Sequence, residues 1–225
     1  MKLEYVLPED IEKRSFEIIE EELGENKIPD DIKPIVMRVI HTTADFDYYN
    51  NLCFSENAVS AALKTIREGA IFVTDTKMAQ SGINKAALEK LGCECCCFMS
   101  DKDVAESARL NKTTRATASV NKAAQFKKPV IYAVGNAPTA LLRLYELAES
   151  GIFRPRLVIG VPVGFVNVVQ SKEMIISSEI PYIVSRGRKG GSNVAAAICN
   201  ALLYMAGGRG SLVHNNSVQF RILLI

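Results

Sequence analysis

The chain has 225 residues, 48% apolar and 23% charged, with a formal net charge of +2 and no tryptophan. That length buries a large core without disulfides or a structural metal, and the balance excludes disorder, collagen and a coiled coil. So small a net charge gives no global electrostatic case for nucleic acid, and no apolar run approaches the ~18 residues of a membrane helix. Met1 to Asp10 carry acids and a proline where a secretion leader would be basic and then apolar, so a cytoplasmic protein with neither a nucleic-acid nor a membrane partner is expected.

In chain order, residues 8–23 read as a helix. Pro8 lies near its start, acids fill its first turn, Ile11, Phe16, Ile19 and Leu23 recur at helical spacing, and Gly24 ends it. Residues 30–43 form a second helix with Asp30 or Asp31 as cap, and residues 57–68 a third, ended by Gly69. Residues 70–74 are apolar and too short for a helix, which predicts a buried strand bounded by Asp75. Residues 93–99 are strand-like, and residues 101–125 are long and mostly helical. Strands at 130–134, 157–161 and 182–185 each precede a helix, at 138–149, 166–176 and 192–206. This alternation predicts one α/β domain over residues 1–206, a mainly parallel sheet with helices on both faces. Residues 207–225 differ. Gly207-Gly208-Arg209-Gly210 breaks the last helix, and the chain ends in the apolar Ile222-Leu223-Leu224-Ile225. This end reads equally as an edge strand, a partner-binding tail or an extraneous segment.

Four of the six cysteines lie in Gly92-Cys93-Glu94-Cys95-Cys96-Cys97-Phe98. On a strand, Cys93, Cys95 and Cys97 face one way and Cys96 the other. A metal site asks for thiolates converging around a turn, which a continuous strand does not provide. The run therefore reads as a buried strand in which cysteine serves as a small hydrophobe. A redox or metal protein is the rival.

Open parallel sheets bind ligands at the carboxyl ends of their strands. Four strand-to-helix turns are informative: Thr74-Asp75-Thr76-Lys77, Gly135-Asn136-Ala137-Pro138-Thr139, Gly160-Val161-Pro162-Val163-Gly164 and Arg186-Gly187-Arg188-Lys189-Gly190-Gly191-Ser192. In the last, three cations and three glycines lead into a helix capped by Ser192. Backbone N–H groups at Gly190 and Gly191 and the helix N-terminus favour an anion, and Arg186 and Arg188 each fork a carboxylate or phosphate. The plain alternative is a solvated basic turn. G-x-x-x-x-G-K-[ST] and G-x-G-x-x-G are both absent, so nucleotide binding has no specific support. Of the two histidines, His214 lies in the odd tail. His41 follows Arg38 by three residues on one helix face. That pair asks for an anion between its members, and a surface histidine is the alternative. No G-x-S-x-G, H-E-x-x-H or EF-hand pattern occurs.

Val39-Ile40-His41-Thr42, Gly135-Asn136-Ala137-Pro138-Thr139-Ala140-Leu141, Gly160-Val161-Pro162-Val163-Gly164-Phe165-Val166 and Arg186-Gly187-Arg188-Lys189-Gly190-Gly191-Ser192 together closely resemble the precorrin-8X methylmutase family. Arg14-Ser15-Phe16, Thr74-Asp75-Thr76-Lys77-Met78 and Thr114-Arg115 extend the likeness, which runs in order from about Ile11 to Ala206. Each motif is modestly specific and the ordered set highly so. The resemblance implies an intramolecular methyl transfer in cobalamin biosynthesis, from ring carbon 11 to ring carbon 12 of precorrin-8 or cobalt-precorrin-8, giving hydrogenobyrinate or cobyrinate. It implies no redox cofactor and no protein-bound metal. It places the catalytic histidine at His41, where it would protonate or hydrogen-bond a ring nitrogen, and substrate contacts at Ser15 and Arg38. Arg115, Asn136, Arg186 and Arg188, with Gly190, Gly191 and Ser192, complete the expected set for the acetate and propionate arms of the macrocycle. One departure is Thr42-Thr43, where family members often carry small or apolar residues. The resemblance also implies a homodimer, with a second subunit packed over the sheet's carboxyl edge and the first forty-five residues near a two-fold interface. The rival is a non-catalytic tetrapyrrole carrier of the same fold. The presence of cobalt in the substrate is left open.

Overall fold

A computed structural model of the chain describes residues 3–25 and 27–208. His214, and all but the first two residues of the 207–225 segment, lie outside the described residues. The sheet has six strands: β1 (Leu52–Phe54), β2 (Ile71–Thr74), β3 (Glu94–Cys96), β4 (Val130–Val134), β5 (Leu157–Gly160) and β6 (Tyr182–Ser185), in the spatial order β1-β6-β5-β4-β2-β3. Every neighbouring pair is parallel except β1 and β6, which run antiparallel with Leu52 opposite Ser185. The predicted class, one mainly parallel α/β domain, is the observed one.

Both faces are covered, and the side-chain alternation of the strands divides the core in two. Phe72, Ile131, Ala133, Ile159 and Ile183 point to one face. Ile71, Val73, Tyr132, Val158 and Val184 point to the other. The first layer comprises α1 (Ile11–Leu23), α2 (Lys33–Thr43), α3 (Tyr48–Asn51), α4 (Ala58–Arg67), α5 (Lys77–Gly82), α6 (Lys85–Lys90) and α11 (Ser192–Ala206). The second comprises α7 (Lys102–Leu110), α8 (Arg115–Ala123), α9 (Pro138–Glu149) and α10 (Val168–Ile176). Helix α11 is the hub of the first layer. Val194 to Cys199 and Ala201 to Leu203 are all buried, and α2, α4 and α5 pack around it. A run of alanines with branched residues suits a helix enclosed on most sides.

Several boundaries depart from the periodicity. The long helix expected over residues 101–125 is two helices, because Lys112 turns left-handed at φ 50° and Thr114 caps a new start by accepting from Thr117 N–H at 3.1 Å. Helices α5 and α6 and the edge strand β1 were not anticipated, being six residues or fewer. Neither Asp30 nor Asp31 caps α2. Its first N–H groups go to the Pro29 carbonyl, with Lys33 N at 2.9 Å.

The cysteine strand covers only Glu94–Cys96, so Cys97 lies beyond it. Cys93 and Cys95 join the first core face and Cys96 the second, as alternation predicts. Burial pushes the Cys95 and Cys96 thiols up to about 12, so both stay protonated and apolar at neutral pH. All six cysteines are free. Among the described residues no group of three or more His, Cys, Asp or Glu side chains is placed to hold a metal ion.

Candidate active site

The carboxyl ends of β2, β4, β5 and β6 converge on the first turn of α11. Asp75, just after β2, is 2% exposed and accepts from the N–H groups of Gly135, Asn136 and Ala137 at 2.8, 2.8 and 2.7 Å. A carboxylate is tolerated there because those donors replace water. Burial raises its pKa, and the three hydrogen bonds oppose the rise. Asp75 therefore braces the β2 turn to the β4 turn. Thr76 Oγ1 caps α5 through Ala79 N–H at 3.0 Å and lies 2.7 Å from Ser192 Oγ. The cap of α11 is Gly191, not Ser192. Ser192 is the first helical residue, and its hydroxyl is engaged by Thr76.

The glycines at this edge mark close backbone approach. A Cβ on Gly190 would lie 2.1 Å from the Val161 carbonyl oxygen, and one on Gly135 2.7 Å from Ser192 Cα. Gly191 N–H donates to Val161 O at 2.8 Å, and Gly164 N–H to Arg188 O at 3.2 Å. The β5 and β6 turns are thus interlocked.

The cations of the basic turn have unequal neighbours. Arg186 Nε donates to Glu173 Oε1 at 3.1 Å. Lys189 Nζ lies 2.6 Å from both Asp45 Oδ2 and Asp47 Oδ2, and it holds the Asp45 carboxyl below the ordinary carboxylate value. That staple fastens the loop after α2 to the loop before α11. Arg188 has no acidic partner among the described residues, and its guanidinium sits 5.4 Å from the Phe165 ring centroid. Arg115, the first residue of α8, is exposed and likewise unpaired. Thr114 Oγ1 lies 2.9 Å from Thr139 Oγ1, which seats that helix start beside the β4 turn and its exposed Asn136. Val163, Phe165, Val166 and Met78 are exposed along the same edge, so apolar surface alternates with cations.

His41 and Arg38 occupy a second patch on α2. His41 is exposed, and its ring lies 5.1 Å from that of Phe16. The Arg38 guanidinium stacks 5.5 Å from Phe16 and 4.8 Å from Tyr204, and its NH1 is 3.0 Å from Glu12 Oε1. The aromatic ring of Phe16 therefore lies beside both, and the anion at Arg38 is the Glu12 carboxylate. Tyr204 is about 18 Å along α11 from Ser192 at 1.5 Å per residue. Within one chain, Arg38 is thus held away from the basic turn, while the end of α2 is drawn toward it through Lys189. Ser15 is half-buried, and its hydroxyl donates to Ile11 O at 2.8 Å. The Thr42 and Thr43 hydroxyls donate back to Arg38 O and Val39 O, each at 2.8 Å.

Sequence reasoning missed Lys172 on α10. It is 0% exposed, and its Nζ donates to the carbonyls of Gly187 and Lys189 at 2.8 Å each, with Ser185 Oγ at 3.4 Å. Burial lowers its pKa to about 8, so it is chiefly an ammonium at neutral pH. A signal existed, since Lys172 is four residues after Val168 and three before Ile175, on the buried face of its helix.

These features define a single-domain α/β protein with a cation-bearing, apolar-flanked surface at the carboxyl edge of its sheet. The family model for precorrin-8X methylmutase matches residues 10–205, and the chain belongs to that family, whose members are isomerases. It is 46% identical over 201 residues to a cobalt-precorrin-8 methylmutase of Priestia megaterium, covering 89% of each chain. A precorrin-8X methylmutase of Pseudomonas aeruginosa is 34% identical over 194 residues, covering 85% of this chain and 93% of that one. The crystal structure of precorrin-8X methylmutase from Thermus thermophilus superposes with a TM-score of 0.82 at 40% identity, covering 90% of this chain and all of that one.

Proposed function

We propose that this protein moves a methyl group from ring carbon 11 to ring carbon 12 of cobalt-precorrin-8 in vitamin B12 biosynthesis, in the cytoplasm, as a homodimer, with His41 as proton donor and acceptor. The observation that carries the reading is the Lys189 staple, which draws the His41 end of α2 to an edge where unpaired cations alternate with exposed apolar side chains. That surface matches a flat macrocycle rimmed by carboxylates. Arg188 and Arg115 receive carboxylate arms, and Phe165 and Val166 receive the ring. A proton placed by His41 on a ring nitrogen draws electron density from the conjugated system. The bond from carbon 11 to the methyl then breaks as the bond to carbon 12 forms, and the proton returns to the imidazole. Cobalt in the substrate is favoured because the relatives named cobalt-precorrin-8 methylmutase reach 46% identity, against 40% and 34% for those named precorrin-8X methylmutase.

The test is optical. Anaerobic incubation with cobalt-precorrin-8 changes the conjugation and hence the absorption spectrum. The wild type should convert it, and His41→Ala should bind it yet turn over at least about 10²-fold more slowly. Binding by wild type with no conversion would support the carrier reading instead, and a His41→Ala variant as fast as wild type would remove His41 from the chemistry.

A further inference from the structure

A buried lysine with no carboxylate partner is costly unless its donors are matched. Lys172 meets that condition by gripping a loop, not an acid. The turn between β6 and α11 has two hydrogen-bonded N–H groups among residues 186–191: Arg186 to Asn51 O at 2.7 Å and Gly191 to Val161 O at 2.8 Å. Those of Gly187, Arg188, Lys189 and Gly190 have no partner among the described residues. Its carbonyls are the reverse. Gly187 O and Lys189 O both accept from Lys172 Nζ, Lys189 O also accepts from Ser185 Oγ, and Arg188 O accepts from Gly164 N–H.

Peptide planarity turns this asymmetry into a direction. In a trans peptide the carbonyl of one residue and the N–H of the next point opposite ways. Drawing Gly187 O and Lys189 O down onto a buried ammonium turns the N–H groups of Arg188 and Gly190 away from α10. Two outward N–H groups in one turn offer donors to an anion, and the ammonium beneath adds a fixed positive charge that solvent does not screen.

We propose that Lys172 is the positioning residue of a carboxylate site formed by the outward N–H groups of Arg188 and Gly190, which receives one arm of the macrocycle. This rests on the reading of the substrate given above, and goes beyond it in naming the group that shapes the turn. Lys172 touches no substrate itself. Its effect belongs to binding, since it acts through the shape of the turn and meets no reacting atom.

Two variants test this, Lys172→Met, which keeps the length and removes the charge, and Lys172→Gln, which keeps donors at shorter reach. Amide hydrogen exchange of wild type and variants needs no corrinoid. It should show faster exchange of the Arg186 and Gly191 amides, the two hydrogen-bonded N–H groups of the turn, in Lys172→Met, with the amides of α11 beyond its first turn unchanged. With cobalt-precorrin-8, Lys172→Met should raise KM at least tenfold and leave kcat within about threefold, and Lys172→Gln should fall between Met and wild type. Unchanged exchange of the turn, an unchanged KM, or a kcat lost with KM unaltered would each overturn the proposal, as would failure of both variants to fold. If the substrate reading alone is wrong, wild type will not convert the corrinoid, while the exchange difference will still appear.

Discussion

Arg186 and Arg188 differ in what their charge already meets. Glu173 engages Arg186, whereas among the described residues Arg188 meets the Phe165 ring and no acid. An anionic arm arriving at Arg188 displaces no internal partner, so Arg188→Ala should weaken corrinoid binding by on the order of 1.5–3 kcal/mol. Arg186→Ala should cost less, because its guanidinium is already engaged by Glu173. Titration of both variants with the corrinoid at moderate salt separates them, and equal losses would show that Arg186 leaves Glu173 to contact the ligand. The same inequality was hidden in the sequence, where the two arginines stand two apart in one motif. Only their surroundings distinguish them.

Among the elements, the β2 turn has a different role from the one its position suggests. Thr74-Asp75-Thr76-Lys77 lies at the carboxyl edge, where ligands bind, yet its carboxylate points inward to three N–H groups of the neighbouring turn. Asp75→Asn puts an amide NH2 against donors and leaves at least one N–H unsatisfied. Unfolding in urea should show a loss on the order of 3 kcal/mol. A variant as stable as wild type would show that the β4 turn holds its shape without the brace. The helix over residues 101–125 was misread for a related reason. Residues 111–114, Asn-Lys-Thr-Thr, carry no glycine or proline to mark a break, which is made instead by one left-handed residue, Lys112, and a threonine cap. Thr114 was legible as a cap; the left-handed lysine was not, because lysine does not announce that conformation.

For the molecule as a whole, Arg38 and the basic turn of residues 186–191 lie at opposite ends of α11. Arg38 lies beside Tyr204 near the far end of α11, and the unpaired Arg188 and Arg115 line the sheet edge. Leu3, Tyr5, Leu7, Ile11 and Ile18 are also exposed on the segment leading into α1 and on α1 itself. An apolar surface of this kind favours association. A second copy packed there would set its own α1–α2 face near the first copy's edge and keep water from the ring. Sedimentation at micromolar concentration should therefore give about twice the 24.7 kDa chain mass. A monomer turning over at full rate would mean that one chain closes the pocket alone.

The sequence by itself determined the strand–helix alternation, the mainly parallel sheet, the packing of cysteines as hydrophobes on both faces, and the family. Each follows from local pattern: apolar runs too short for helices, period-two alternation, and motifs in a fixed order. It also marked the turn of residues 186–191 as the most basic at the carboxyl edge. The tertiary structure decided which of those charges are free. Lys189 is neutralised by Asp45 and Asp47, some 140 residues earlier. Arg186 is engaged from α10, and Lys172 enters from beneath to set the turn's carbonyls. No spacing rule reaches across such separations. A charge is silenced or oriented by whatever the fold brings within about 3 Å of it, and that is a property of the packed layers and not of the motif.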